Sequence, residues 1–215
     1  MRYVKFFFGV LTGSLTLIAS ASAAPMGFKN SWMVMGDTSK NFQELAFNYA
    51  TTANDAFGLS VSGMESHHSM KQQNVEAVYT RKVARWNMPN AQANIWFIGG
   101  IGSTTGNTFD GSRLTTSPGV QLDYETTRIY VMGSTRVYTG EGPTSTINTL
   151  RVGGSFYEVH YDQPQPWFIV EARRMNFASR QYEITPMLRV IHNRYFVEFG
   201  ANMSGQPRFN FMYNY

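Results

Sequence analysis

Few residues in this sequence have the type and spacing to do chemistry by themselves. His67-His68-Ser69-Met70 follows Met64 and Glu65. Two imidazoles and a thioether suit a soft or borderline transition metal such as copper, which makes His67, His68 and Met70 the candidate ligands. One short segment offers few donors at no fixed spacing, and a solvated polar turn needs no metal, so no metal or other cofactor is expected. His67 and Ser69 also place a base near a hydroxyl. Nucleophile, base and orienter act together, however, and no Asn or acidic orienter follows at matching spacing, so no catalytic residue is assigned and no enzyme is expected. The sequence holds no Gly-rich phosphate loop, zinc-protease motif or nucleic-acid signature. Gly99-Gly100-Ile101-Gly102 reads as small residues easing a strand bend or close packing.

The elements that carry these residues follow from composition and alternation. Cysteine is absent from the 215 residues, which excludes a disulfide scaffold, a thiolate metal site and a cysteine nucleophile. Aromatic residues, at 15%, match charged residues, at 15%, whereas charged residues approach about a quarter of a soluble domain. A mean hydropathy of −0.27 excludes a bundle of membrane helices, each of which needs about 20 apolar residues in a row. Arg2 and Lys5, the apolar run Phe6 to Ala19 and the small residues Ala21-Ser22-Ala23 have the form of an export leader. Residues 1–23 are thus expected to be a cleaved signal peptide, with one domain over 24–215. Removing Arg2 and Lys5 from 18 basic residues leaves 16 against 14 acidic ones, so no nucleic-acid partner is implied.

Beyond the leader the hydrophobic period is two residues, not the three to four of a helix. Phe209, Phe211, Tyr213 and Tyr215 alternate with Arg208, Asn210, Met212 and Asn214; Tyr195, Val197 and Phe199 alternate with Phe196, Glu198 and Gly200. Turn-forming residues cut these runs into about twelve strands: 30–37, 42–51, 56–65, 73–86, 92–102, 118–125, 127–139, 146–158, 166–174, 181–191, 194–203 and 207–215. Ten strands is the alternative count. An even number returns both termini to one side, as bacterial outer-membrane barrels require. Between strands, the longest outer loop is expected over 103–117, with tight inner turns near Glu125-Thr126-Thr127 and His192-Asn193 and a longer one from His160 to Pro166. Arg81 shares the parity of Val75, Ala77 and Tyr79, which calls for a bulge, and Pro186 should mark a local irregularity.

Parity alone leaves open whether the apolar face points inward, as in a soluble barrel, or outward to lipid. The aromatic strand ends Tyr49, Tyr124, Tyr182, Tyr195 and Tyr213 suit a headgroup boundary. The polar parity mixes Glu and Arg with Gly, Ser, Asn and Thr, unlike a soluble Lys and Glu coat. Lipid is therefore the reading, and the inward parity then gives Glu44, Glu76, Lys82, Asp123, Glu125, Arg128, Arg136, Arg151, Glu171, Arg173, Arg189 and Glu198 as lumen-lining residues. Met132, Met187, Met203 and Met212 are read as flexible wall filler.

The alternating aromatic last strand, Phe209, Phe211, Tyr213 and terminal Tyr215, resembles the C-terminal signal of Gram-negative outer-membrane β-barrel proteins. The resemblance implies an all-β, transmembrane, antiparallel up-and-down barrel located in the outer membrane, with outer-membrane lipid and the barrel assembly machinery as partners. His67 and Ser69 also resemble part of the His-x-Ser motif of phospholipase and lipid A deacylase barrels, but lack its orienting residue. The function expected is a narrow, porin-like pore for small solutes. The alternatives are a non-conducting structural or partner-binding barrel, with a metal-binding outer loop as one variant, and a lipid-modifying enzyme.

Overall fold

The computed structural model describes residues 24–66, 69–159 and 163–215. The expected leader, His67 and His68 lie outside the described residues. Thirteen strand segments follow one another: β1 (Trp32–Thr38), β2 (Phe42–Ala50), β3 (Asp55–Glu65), β4 (Lys71–Met88), β5 (Ala91–Gly106), β6 (Phe109–Thr116), β7 (Gly119–Thr126), β8 (Ile129–Gly140), β9 (Gly142–Ser155), β10 (Gln165–Met175), β11 (Glu183–His192), β12 (Tyr195–Ala201) and β13 (Pro207–Asn214). Consecutive segments other than β6 and β7 pair antiparallel, and β13 closes on β1 from Met33↔Asn214 to Thr38↔Phe209. Segments β6 and β7 lie end to end between β5 and β8, so the wall has twelve staves. Pro118, which has no N–H to donate, sits at the break between them.

The outward parity is apolar: Leu45, Leu59, Val75, Ile101, Leu122, Val152 and Phe199 are exposed, while Asn74, Glu76, Asn94, Glu171, Arg189 and Glu198 are buried. The two-residue period sorts each strand's residues onto opposite faces, and here the apolar set is the outer one. Rings gather on the outer surface at the inner end, where Trp32 stacks on Phe47 at 4.9 Å and Tyr195 on Tyr213 at 4.8 Å. Amphipathic rings favour the headgroup level.

Several expectations need correction. The segment 103–117 is not a loop: β5 runs on to Gly106, β6 starts at Phe109, and a two-residue turn joins them. Asn107 fixes that turn, its Oδ1 accepting from the Lys71 N–H at 2.9 Å and its Nδ2 donating to the Ser69 carbonyl at 2.8 Å. The longest connection is instead the inner one, 156–164, whose residues 160–162 fall outside the description. A bulge does interrupt β4, but between Lys82 and Ala84. It turns Arg85 inward and Trp86 outward, and comes too late to move Arg81, which stays on the outer face paired with Asp55 at 2.9 Å. Pro186 keeps its place opposite Val170, and the β12 ladder ends beside it at Met187↔Gly200, so the missing donor falls at a ladder end. Met203 lies in the exposed turn after β12, not within a strand.

Residues ahead of β1 enter the barrel. Ala24, Pro25 and Met26 are buried, and Met26 packs with Met33, Ala50, Ala56 and Trp96 at the inner mouth. Asn48 Nδ2 donates to the Pro25 carbonyl at 3.2 Å, and Asn30 makes the reversal into β1 with φ 64°, a conformation Asn tolerates better than most residues.

Candidate functional site

The inward side chains form layers along the barrel axis. Strand β10 shows them in order from the inner end: Trp167 and Ile169, then Glu171 and Arg173, then Met175. The inner layer contains Tyr130, Met132, Met187, Ile191 and Phe196 as well as the Met26 cluster. The outer layer joins Phe42 and Met64 to Tyr138, Ile147 and Met175 across the lumen. Ionised groups lie between these apolar layers, and guanidinium faces tie the layers together: Arg189 sits 4.2 Å from the Tyr130 ring centre and Arg173 4.9 Å from that of Phe42.

The ionised layer divides into two networks. In the first, Arg136 of β8 reaches across the lumen to β2 and β4. Its Nη1 donates to Glu44 Oε1 at 2.8 Å, and its Nη2 to Glu76 Oε2 at 3.2 Å and to Ser117 Oγ at 3.0 Å. Ser60 Oγ also donates to Glu44 Oε1, at 2.7 Å. Gly100 makes this possible, since a Cβ there would stand 2.3 Å from Ser117 Oγ and 3.0 Å from Glu76 Oε1.

The second network runs from β9 to β13 and on to β1. Arg151 Nε donates to Glu171 Oε2 at 2.7 Å and its Nη1 to Glu198 Oε2 at 3.2 Å. Arg189 Nε donates to Glu198 Oε1 at 2.7 Å, and Asn210 Nδ2 to Glu198 Oε2 at 2.8 Å. Arg208 Nε donates to Glu171 Oε1 at 3.0 Å, and Arg208 also pairs with Asp37, which receives Arg173 Nη1 at 3.2 Å. Among the described residues no salt bridge joins the two networks. A cavity of about 210 Å³ lies between them, with Glu44 and Arg136 from the first and Asp37, Arg151 and Arg173 from the second in its lining.

Of the residues expected in the lumen, Glu44, Glu76, Arg136, Arg151, Glu171, Arg173, Arg189 and Glu198 thus meet in the central layer. Asp123 and Glu125 are buried at the inner end, where Asp123 accepts from Asn94 Nδ2 at 2.5 Å and Trp96 Nε1 at 2.7 Å. Lys82 stands at the inner mouth, half-buried, donating to the Ala53 carbonyl at 2.8 Å. Arg128 is elsewhere: it occupies the exposed turn between β7 and β8 and donates to the Phe156 carbonyl at 3.2 Å. The expected strand 127–139 gives Arg128 the inward parity of Ser134 and Arg136, but β8 begins only at Ile129, so Arg128 falls just ahead of that period. Asp37 and Arg208 are central residues that sequence reasoning passed over. Arg208 shares the inward parity of Asn210, and Asp37 lies next to the end of β1 although its neighbours Thr38-Ser39 read as a turn.

Ser69 and Met70 border the undescribed His67-His68 pair. Ser69 takes φ 59° in a turn closed by its N–H to the Ser66 carbonyl, and Met70 is exposed. Among the described residues no three His, Asp or Glu side chains converge as a metal-holding group.

No family model matches the chain, and no curated protein matches it either. Among solved structures the chain is similar to the KdgM porin in complex with disordered oligogalacturonate, at 14% identity and a TM-score of 0.43, covering 86% of this chain and 98% of that one. It is also similar to OccK8 (OprE) of Pseudomonas aeruginosa, at 9% identity and TM-score 0.39, covering 81% of this chain and 57% of that one. A third is CdiB from Acinetobacter baumannii, at 10% identity and TM-score 0.32, covering 86% and 60%. A closed antiparallel wall that is apolar outside, girdled by rings at one end and ion-paired within has the construction of an outer-membrane-type β-barrel.

Proposed function

We propose that the barrel is a narrow, porin-like channel for small polar solutes. The observation that carries this reading is the cavity between two separate ion-pair networks. A wall that needed only rigidity would gain as much from apolar packing as from buried ion pairs, yet ten ionised side chains, five arginines and five carboxylates, fill its central layer. Matched charge favours neither sign of ion strongly. Arg136 spans the lumen on a flexible stem, an obstruction that side-chain rotation removes without opening the wall.

In planar bilayers the purified chain should give small conductance steps that pass potassium and chloride at similar rates. Arg136→Ala removes the strut between β8 and β2 and should enlarge the step about twofold, since pore-lining groups set conduction. If both proteins give no steps, the barrel is sealed and the reading fails. In the same proposal Phe209, Phe211, Tyr213 and Tyr215 engage the assembly machinery and the mature chain begins at Ala24. Burial of Ala24 inside the lumen supports that start, and N-terminal sequencing of membrane-inserted protein checks it.

A further inference from the structure

The two networks differ in charge. With all carboxylates ionised, Arg136 faces two of them, Glu44 and Glu76, leaving one negative charge in excess. In the other network four guanidiniums, Arg151, Arg173, Arg189 and Arg208, face only Asp37, Glu171 and Glu198, leaving one positive charge in excess. The central layer is neutral as a whole and polarised across the width of the barrel. Two separated excess charges on opposite sides of one cavity, each short of a partner, are the complement of a solute carrying both signs.

The lining also holds polar atoms that the protein leaves unbonded. Tyr138 Oη, Arg173 Nε, Asn210 Oδ1 and Arg136 Nε are buried and have no hydrogen-bond partner among the described residues, and all four residues line the cavity. Tyr138 is 4% exposed, and Arg173 and Asn210 are 5% exposed. Buried polar groups are nearly always bonded, so several orphans around one space mark a place where something polar belongs. At about 210 Å³ the cavity is smaller than the roughly 300–1,000 Å³ of sites for drug-sized ligands, which limits the occupant to a few heavy atoms beyond water.

We propose that this cavity holds a small zwitterionic solute of amino-acid size, its ammonium group against Glu44 and Tyr138 and its carboxylate against Arg173 and Arg151. The inference deepens the channel reading and rests on it, naming the solute class for which the lumen is built. Neither half alone satisfies both walls. A simple anion meets the negative excess of the first network, and a simple cation meets the guanidiniums of the second.

The test is titration calorimetry on the full mature chain in detergent with three probes of similar size: β-alanine, propionate and propylammonium. β-Alanine should bind saturably and at least about tenfold more tightly than either half, a difference of about 1.4 kcal/mol. Glu44→Gln should abolish the advantage of β-alanine over propionate, and Arg173→Gln its advantage over propylammonium, with heat-modifiable gel migration reporting that each variant is folded. Equal binding of all three probes to the unaltered protein, or no saturable β-alanine binding by folded barrel, overturns the proposal even if neither variant folds. Calorimetry does not need conduction. A conducting barrel that ignores β-alanine therefore removes only the solute assignment, while a sealed barrel that binds it removes only the channel.

Discussion

The two sides of the wall differ in construction. From β9 round to β13, inward positions carry bulk and charge: Arg151, Trp167, Glu171, Arg173, Met187, Arg189, Phe196, Glu198 and Arg208. At mid-depth from β3 to β6 they carry mostly small groups, Ser60, Ser62, Asn74, Gly100, Gly102, Thr104, Thr115 and Ser117, with Glu76 among them, while Trp96, Asp123 and Glu125 fill the inner end of that side. Hydroxyls and amides on this side bond to one another, as where Thr104 Oγ1 meets Thr115 Oγ1 at 2.5 Å and Asn74 Nδ2 donates to Ser62 Oγ at 3.1 Å. At mid-depth the lumen is therefore filled mainly from one side. Long side chains reach toward a shallow wall, and the cavity survives where their reach ends, beside Arg136.

If the crowded side is the rigid one, its ion pairs should dominate stability. Glu198→Ala leaves Arg189 buried without a carboxylate partner and Arg151 with Glu171 alone, and removing one partner of a buried pair costs about 3–5 kcal/mol. Glu44→Ala on the sparse side, where the carboxylate is 18% exposed and Arg136 retains Glu76, should cost less, on the order of 1–2 kcal/mol. Urea unfolding in detergent micelles compares the two, and equal losses would erase the contrast. Gly100→Leu sharpens it from the other direction: the new side chain occupies the space of Ser117 and Glu76, and overpacking of this kind costs about 1–3 kcal/mol. A fully tolerated leucine would mean that the shallow wall has room to spare. At the low end, Lys71→Ala breaks only the exposed 3.7 Å pair with Glu65 at the outer rim and should shift stability by less than about 1 kcal/mol.

Most strand positions, and which residues share a face, were legible in the sequence because a two-residue period is written locally; β6, read as part of an outer loop, was not. Ile184, Leu188 and Val190 point out and Thr185, Met187 and Arg189 point in, as alternation alone requires. The pairing of charges was not legible. Glu44 and Arg136 are 92 residues apart, and Asp37 and Arg208 are 171 apart, so their meeting depends on how the ring closes and how deep each strand sits. Trp96 shows a second limit. It shares the inward parity with Asn94, yet a sequence window gives no sign that its Nε1 serves a carboxylate on another strand. The inner mouth escaped for a related reason, because Ala24 to Met26 precede the first strand and carry no period at all.

If the mature chain begins at Ala24, which lies inside the wall, anything fused ahead of it competes for the same space. An epitope tag at that end has to thread the inner mouth or pull Met26 away from Trp96. Labels belong at the opposite end, in the turn holding Ser204 and Gly205, where Gly205 adopts φ 74° and nothing stands within 4 Å of the position a β-carbon would take.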